Sequence, residues 1–145
     1  MTDDLALFAD LYELTMAQAF YQQGMFAQAT YSLFIRQYPP NRAFMVAAGL
    51  EDVLDYLENL RFSPSNLDHL RSIGIFDSKF LEYLIDLRFT GSVRAIPEGR
   101  LFFTDEPVLE VTAPIIEAQI AETFIINQIN VQSLLTTKAA RCVLA

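Results

Sequence analysis

The two side-chain types that most often carry catalysis or metal binding occur once each in this sequence, as His69 and Cys142. His69 falls beside Asp68 and Arg71 on the polar face of a predicted helix, and no second His or Cys lies near it to complete a set of metal ligands. Cys142 has no histidine partner that would activate its thiol. We therefore interpret His69 as a surface residue and Cys142 as a helix packing residue, and we predict neither a metal site nor a catalytic residue.

Phosphate-binding motifs are also missing. The 5 glycines stand singly, and neither Gly-x-Gly-x-x-Gly nor Gly-Lys-Ser/Thr occurs. The Glu51-Asp52 doublet resembles the acidic pair of a type I phosphoribosyltransferase loop, but no Thr/Ser-Gly-x-Thr follows it. We interpret the doublet as the charged first turn of a helix, where the helix dipole favours acidic side chains. Residue spacing alone thus predicts no catalytic site.

The composition predicts a single folded domain over residues 1–145. Hydrophobic residues make up 52% of the chain, which is ample apolar surface for one core and excludes a disordered chain. The net charge of −8 argues against binding to nucleic acid or to an anionic membrane surface. A single cysteine, the acidic start Met1-Thr2-Asp3-Asp4 and the lack of an apolar run of about 20 residues predict a cytoplasmic protein without a membrane span.

Four segments combine apolar residues at helical spacing with residues that commonly cap helices. They are Leu11–Gly24 with Gly24 at the C-cap, Gly49–Leu60, a helix that starts at Ser63-Pro64, and one that starts near Asp77-Ser78. After Pro114 neither proline nor glycine occurs. This last stretch predicts one long helix, or two helices joined near Asn127–Asn130.

Strands are predicted where apolar and polar residues alternate and β-branched or aromatic types are frequent. Ala29–Arg36 is the first strand and ends at the turn Tyr38-Pro39-Pro40-Asn41-Arg42, and Phe44–Ala48 is a second, buried strand. Three short runs follow, separated by turn residues, and predict a β-meander: Val93–Ile96, Leu101–Phe103 and Val108–Val111. The order of the elements predicts an α+β domain in which a small antiparallel sheet packs with helices.

The C-terminal residues Lys138–Ala145 continue an apolar helical pattern without a capping glycine or a polar tail. We expect from this that the chain is a fragment that ends within a helix. The alternative is that the last helical turn docks on the core of the domain.

Blocks of sequence along the whole chain resemble the N-terminal domain of nicotinate phosphoribosyltransferases. The first block is Asp10-Leu11-Tyr12-Glu13-Leu14-Thr15-Met16-Ala17-Gln18. The others follow in family order: Ser32-Leu33-Phe34-Ile35-Arg36, Ala47-Ala48-Gly49-Leu50-Glu51-Asp52, Pro97-Glu98-Gly99, Glu106-Pro107 with Val111 and Pro114, and Glu117-Ala118-Gln119 through Glu122-Thr123 to Thr137-Lys138-Ala139-Ala140-Arg141. The chain is much shorter than members of this family.

The resemblance implies an N-terminal α/β sandwich that packs against a barrel-like C-terminal domain, which this chain lacks. Family members join nicotinate to phosphoribosyl pyrophosphate, coupled to ATP hydrolysis through a phosphohistidine and assisted by Mg²⁺, and so make nicotinate mononucleotide for NAD biosynthesis. The resemblance also implies a homodimer. Since the phosphohistidine and most pyrophosphate contacts belong to the missing domain, we expect this chain alone to be inactive and to bind no cofactor. The alternative is a non-catalytic binding or assembly module that retains the fold.

Three residues are candidates for substrate binding by this resemblance. Tyr12 matches the tyrosine whose ring stacks on the pyridine of nicotinate, although it could instead pack at the start of a helix. Asp10 matches a residue that lies beside the base in related enzymes, and it could equally cap the helix. Arg36 is a candidate for phosphate contact, because a guanidinium suits phosphate oxygens, or it is a solvated or ion-paired arginine.

Overall fold

The computed structural model describes residues 5–38, 40 and 42–144 of the chain. Within them lie six helices, α1 (Leu11–Gln22), α2 (Leu50–Asn59), α3 (Pro64–Ile73), α4 (Ser78–Asp86), α5 (Ile115–Ile120) and α6 (Glu122–Leu144). Five strands accompany them, β1 (Gln28–Phe34), β2 (Met45–Val46), β3 (Ser92–Ala95), β4 (Leu101–Phe102) and β5 (Pro107–Pro114). This mixture of helices and small antiparallel sheets confirms the predicted α+β class.

The helices begin and end where their capping residues predict. Ser63 and Asp77 are the N-caps of α3 and α4, and each side chain accepts a hydrogen bond from a backbone N–H of the first turn. After α1, Gly24 takes φ +67°, and the Met25 N–H donates to the Phe20 carbonyl at 2.9 Å. This is the hydrogen bond of a Schellman cap, which favours glycine because of its positive φ. The predicted turn after β1 falls partly on positions 39 and 41, outside the described residues.

Strand pairing differs from the predicted meander. β5 lies between β1 and β3 in a three-stranded antiparallel sheet, and β4 pairs with β2 in a separate two-stranded ladder. Turn residues show where strands end and not which strand is the partner. β4 is only two residues long, and its Phe102 is fully buried. The loop before β4 is hydrogen-bonded to the residue that follows β2, because the Gly99 N–H donates to the Ala47 carbonyl at 2.8 Å. The meander prediction is wrong for this reason.

The three-stranded sheet has one covered and one exposed face. Tyr31 pairs with Val111 on the covered face, where α5 packs. Ser32 pairs with Glu110 on the other face, and the Ser32 hydroxyl donates to the Glu110 carboxylate at 3.2 Å. The alternation of apolar and polar residues along β1 therefore places its side chains on two distinct faces, as period-two patterning requires.

Helix α5 forms the layer between the sheet and α1. It contacts β1 and β5 on one side and α1 on the other, and five of its six residues are buried: Ile116, Glu117, Ala118, Gln119 and Ile120. Burial of the Glu117 carboxylate raises its pKa, although it accepts a hydrogen bond from the Thr90 N–H at 2.6 Å. Because α5 is central, the polar residues that it carries can connect the sheet to α1.

The segment after Pro114 forms two helices, and their junction is at Ala121. The predicted junction near 127–130 is wrong, because α6 continues through those residues. The junction residue Ala121 keeps helical backbone angles of φ −82° and ψ −10°. No proline or glycine lies at the junction, so the sequence gives no local signal for it.

Two residues singled out in the sequence lie at the surface. Cys142 is exposed, which corrects its interpretation as a packing residue, whereas His69 is exposed as predicted. No helix in the described ranges is long and apolar enough to cross a bilayer.

Helix α6 hydrogen-bonds the edge of β2 through hydroxyl side chains. Thr137 Oγ1 accepts from the Val46 N–H at 2.9 Å, and Ser133 Oγ accepts from the Ala48 N–H at 3.2 Å. Both hydroxyl residues are fully buried. An unpaired buried N–H is costly. By accepting hydrogen bonds from the backbone N–H groups, these two hydroxyls allow the helix to cover the edge of β2.

Glu98 caps helix α2 from a distant loop. Its Oε1 accepts from the N–H groups of Gly49 and Leu50, each at 2.7 Å. Gly49 has φ +97°, and a Cβ on it would lie 2.8 Å from the Gln128 carbonyl oxygen. Two separate sequence blocks, around Gly49 and around Glu98, therefore build a single helix cap.

Candidate functional site

The candidate site begins at the N-terminus of α1, where Tyr12 is the second helical residue. Asp10 is the N-cap with extended backbone angles, and its N–H donates to Glu13 Oε2 at 3.2 Å. This capping box fixes the start of the helix and the direction of its first side chains. The Tyr12 ring points away from the core and is 47% exposed.

Three further residues of the block 10–18 have clear roles in the fold. Leu14 and Ala17 are buried in the core. Gln18 holds the loop before α4, because its Oε1 accepts from the Asp77 N–H at 2.6 Å and its Nε2 donates to the Ile75 carbonyl at 3.3 Å. Packing thus explains these positions, but it does not explain an aromatic ring left half-exposed at position 12.

The Tyr12 hydroxyl lies near the carboxylate of Glu122, the first residue of α6. Burial raises the pKa of Tyr12, and the nearby carboxylates of Glu122, Glu13 and Asp10 raise it further. The phenol therefore stays neutral and remains a hydrogen-bond donor at physiological pH. Almost half of the Tyr12 surface is accessible.

Glu122 is itself held by a chain of polar side chains that leads back to the sheet. Gln119 Nε2 donates to Glu122 Oε2 at 2.7 Å. The Tyr31 hydroxyl of β1 donates to Gln119 Oε1 at 3.4 Å, a long contact. Because a primary amide both donates and accepts, Gln119 can link the phenol of Tyr31 to the carboxylate of Glu122. The polar chain thus runs from Tyr31 through Gln119 to Glu122, whose carboxylate lies near Tyr12.

A second carboxylate, that of Glu13, lies buried beside this chain. Glu13 is 0% exposed, and the Thr123 hydroxyl donates to its Oε1 at 2.6 Å. Burial raises the pKa of Glu13 to about 6, and the Glu122 charge adds to this, although the hydrogen bond from Thr123 opposes it. The Tyr56 hydroxyl is buried and has no hydrogen-bond partner within the described part of the chain, and its ring stacks on Phe124 at 4.0 Å between centroids.

A small cavity of about 100 Å³ lies between the covered face of the sheet and helices α5 and α6. Apolar side chains line most of it, and Glu122 and Tyr31 give it polar walls. Ligand pockets usually measure several hundred Å³. This cavity is therefore too small for a typical ligand, and the Tyr12 ring lies exposed at the surface.

The other two predicted residues lie differently. Asp10 occupies the N-cap of α1, next to the Tyr12 cluster. Arg36 is exposed beyond the end of β1, and its guanidinium carbon lies 5.9 Å from the centroid of the Phe34 ring. No contact between Arg36 and Tyr12 is found within residues 5–38, 40 and 42–144. The structure therefore brings Asp10 and Tyr12 together and leaves Arg36 apart from them.

Sequence reasoning missed the polar residues near Tyr12, namely Glu122, Gln119 and Tyr31. They are far from position 12 in sequence, and no local spacing connects them. A usable signal was the placement of Gln119 and Glu122 in the apolar stretch 115–126, because polar side chains on a buried helix need partners. Across the described ranges, no group of three or more His, Cys, Asp or Glu residues is placed to hold a metal ion.

Comparison with known proteins defines the class to which this fold and site belong. The model of the nicotinate phosphoribosyltransferase (NAPRTase) N-terminal domain matches residues 7–130. The chain is 51% identical over 140 residues to nicotinate phosphoribosyltransferase pncB2 of Mycobacterium tuberculosis, which covers 97% of this chain and 30% of the relative. It is 42% identical to nicotinate phosphoribosyltransferase of Bacillus subtilis, with 96% of this chain and 29% of the relative covered.

A solved structure agrees with these similarities. Human nicotinic acid phosphoribosyltransferase superposes with a TM-score of 0.83 at 36% identity, covering 91% of this chain and 27% of the human chain. A nicotinate-nucleotide pyrophosphorylase from Pyrococcus furiosus shares the fold, with a TM-score of 0.63 at 19% identity. The chain therefore belongs to the nicotinate phosphoribosyltransferase family and matches its N-terminal domain. It spans about 30% of the length of the curated relatives that it matches.

Proposed function

We propose that this chain supplies the nicotinate-stacking part of a nicotinate phosphoribosyltransferase. The reaction joins nicotinate to phosphoribosyl pyrophosphate, releases pyrophosphate and gives nicotinate mononucleotide, a step of NAD biosynthesis. The observation that carries the proposal is the half-exposed ring of Tyr12 in the first turn of α1. Family membership supports nicotinate as the ligand, and the exposed ring supports Tyr12 as the surface that the ligand contacts.

An aromatic ring suits this ligand because pyridine is flat and apolar on its faces. An offset stack of two rings contributes about 0.5–1.5 kcal/mol beyond the area that it buries. The carboxylates of Asp10, Glu13 and Glu122 lie around the Tyr12 hydroxyl, so the nicotinate carboxylate would point away from that end of the ring. A cationic group from outside this cluster would then bind the nicotinate carboxylate.

Asp10 and Arg36 have separate places in the proposal. Asp10 lies beside the proposed pyridine position through its place at the N-cap of α1. Arg36 offers an exposed guanidinium for a phosphate group, and Phe34 supports the guanidinium by a cation–π contact at 5.9 Å.

We propose that the site is completed by the barrel domain of a second subunit in a cytoplasmic homodimer. Phosphoribosyl pyrophosphate, ATP and Mg²⁺ would bind mainly there, because the described residues of this chain include no carboxylate and histidine group suited to a metal ion. The chain alone is then expected to have no transferase activity. A second candidate is a non-catalytic assembly module, which exposed apolar residues of α6 favour: Ile126, Val131 and Leu135.

The test uses a hybrid protein, in which residues 1–145 of this chain replace the segment that they match in the Bacillus subtilis relative. Formation of nicotinate mononucleotide is measured with nicotinate, phosphoribosyl pyrophosphate, ATP and Mg²⁺. We expect Tyr12→Ala to raise the KM for nicotinate by a factor between about two and about thirteen, as the loss of about 0.5–1.5 kcal/mol implies, and Tyr12→Phe to retain most of the binding.

The control is Phe103→Ala, which removes an aromatic ring of nearly equal exposure, 48%, elsewhere on the surface. It should leave the KM for nicotinate unchanged. An unchanged KM in Tyr12→Ala would overturn the stacking proposal, and a hybrid without any activity beside an active parent enzyme would favour the assembly module.

A further inference from the structure

The buried carboxylate of Glu13 joins two parts of the chain that are 110 residues apart. Its Oε2 accepts from the N–H of Asp10, the N-cap of α1, at 3.2 Å, and so closes the first turn of that helix. Its Oε1 accepts from the hydroxyl of Thr123, the second residue of α6, at 2.6 Å. Because Tyr12 lies within this first turn, one side chain fixes both the turn that carries the ring and its place against α6.

The part of α6 to which Thr123 belongs is firmly packed. The neighbouring Phe124 is buried, and its ring stacks on Tyr56 of α2 with 4.0 Å between centroids and 16° between planes. Phe8 meets the same ring edge-on at 5.5 Å. A helix start, by contrast, frays readily, because its first N–H groups have no partner within the helix. The hydrogen bond from Thr123 therefore attaches the start of α1 to a rigid point.

Packing alone does not explain a carboxylate at position 13. Glu13 is fully buried, and this burial disfavours its ionised form and raises its pKa to about 6. An apolar side chain of similar size, such as methionine, would avoid the loss of hydration. The carboxylate offers what methionine lacks, two acceptor oxygens that can bond to α1 and α6 at the same time. Holding the first turn of α1 in place accounts for an acidic residue here.

We propose that Glu13 is a positioning residue, whose carboxylate holds the first turn of α1 against α6 and thereby fixes where the Tyr12 ring is presented to a flat aromatic ligand. Holding the turn before the ligand arrives reduces the conformational entropy lost on binding. Since Glu13 is fully buried, it acts through Tyr12 and not by touching the ligand. The nature of the ligand rests on the proposed function, whereas the link between α1 and α6 does not.

The first experiment follows the Tyr12 ring in the 145-residue chain by fluorine NMR after 3-fluorotyrosine labelling, with the Tyr12 resonance assigned from Tyr12→Phe. Thr123→Val removes the hydroxyl at nearly the same side-chain volume, and Glu13→Met removes both acceptor oxygens. In both variants we expect the Tyr12 resonance to shift toward that of free 3-fluorotyrosine. Thr123→Ser keeps a hydroxyl and should retain the wild-type resonance.

The control is Gln18→Ala, which changes the same helix away from its first turn. Gln18 bonds the loop before α4 through the Asp77 N–H at 2.6 Å and the Ile75 carbonyl at 3.3 Å. We expect its loss to lower the free energy of unfolding, as Thr123→Val does, but to leave the Tyr12 resonance unchanged. This comparison separates an effect on the first turn from a general loss of stability.

The second experiment measures nicotinate kinetics in the hybrid protein. We expect Thr123→Val to raise the KM for nicotinate by a factor between about two and about ten, the value of one hydrogen bond, with little change in kcat. Thr123→Ser and Gln18→Ala should keep the wild-type KM. Combined with Tyr12→Ala, which already lacks the ring, Thr123→Val should cause no further increase. This lack of additivity is the signature of a contact that acts through Tyr12.

The outcomes separate the positioning role from the proposed function. An unchanged Tyr12 resonance in Thr123→Val overturns the positioning role, whether or not Glu13→Met folds. An equal shift in Thr123→Ser or Gln18→Ala overturns it too, as does a fully additive double variant. If the resonance shifts as expected but Tyr12→Ala leaves the KM for nicotinate unchanged, the stacking function fails and the positioning of Tyr12 by Glu13 stands.

Discussion

Neighbouring side chains at positions 12 and 13 face opposite environments at the start of α1. The Tyr12 ring is half-exposed, whereas Glu13 is fully buried and accepts from the Thr123 hydroxyl. Burial disfavours the charged form of Glu13 and raises its pKa to about 6, from the ordinary value of 4.5. A raised carboxyl pKa costs stability whenever the group is ionised, so the site at Tyr12 is built on a residue that weakens the fold near neutral pH.

This cost predicts a specific pH dependence. The folded state binds the Glu13 proton more tightly than the unfolded state, so the free energy of unfolding should fall as pH rises from about 4.5 to about 6. The total change from this group is at most about 2 kcal/mol, since one pKa unit is worth about 1.4 kcal/mol. The Glu13→Gln variant should lack this pH-dependent contribution to the free energy of unfolding. Urea unfolding of both proteins at several pH values between 4 and 7 measures the difference.

A variant with the opposite effect is the control for this prediction. The Thr123 hydroxyl stabilises the ionised form of Glu13, so Thr123→Val should move the pH window upward and lower the stability at neutral pH. Parallel stability profiles for wild type and Glu13→Gln across this pH range would contradict the account of Glu13.

Elements whose boundaries depend on local chemistry could be predicted from the sequence. Ser63, Asp77 and Gly24 act on backbone groups a few residues away. These helix caps could therefore be predicted from the sequence. Strand partners could not be predicted, because β5 pairs with β1 across more than 70 residues of intervening chain and this pairing depends on the whole core. The same limit applies to the site: Tyr12 is predicted by resemblance, but the nearby carboxylate of Glu122 belongs to another helix.

The cap of α2 is a non-local contact that can be tested at the scale of one element. The Glu98 carboxylate accepts from the N–H groups of Gly49 and Leu50 at 2.7 Å, and its charge also favours the helix dipole. We expect Glu98→Gln, which keeps an acceptor oxygen, to lower the free energy of unfolding by about 0.5–1 kcal/mol. Glu98→Ala removes the acceptor as well and should cost about 1–3 kcal/mol.

The control for the cap is Glu58→Gln, an exposed glutamate near the other end of α2, which should change stability little. Thermal and urea unfolding of the variants give the comparison. Equal stability of Glu98→Ala and wild type would show that the distant loop does not cap α2.

At the scale of the whole molecule, the candidate site is an open surface. The exposed face of α1 near Tyr12 carries Leu11 at 52% and Met16 at 41% exposure, and the cavity lined by Glu122 is small, about 100 Å³. Apolar surface grouped in this way is typical of a region that another surface covers. This agrees with a binding site completed by a second subunit, in which Tyr12 of one chain faces the barrel domain of its partner.

Subunit mixing tests this arrangement in the hybrid protein. One kind of subunit carries Tyr12→Ala, and the other keeps Tyr12 but is inactivated by a substitution in the barrel domain. If Tyr12 serves the partner's site, a mixed dimer contains one site with both an intact Tyr12 and an intact barrel, because the two-fold arrangement pairs each α1 with the opposite barrel. Activity at low nicotinate should then exceed that of either parent. Differently tagged subunits verify that mixed dimers form, and mixed dimers no more active than the Tyr12→Ala parent would place Tyr12 in the site of its own chain or in none.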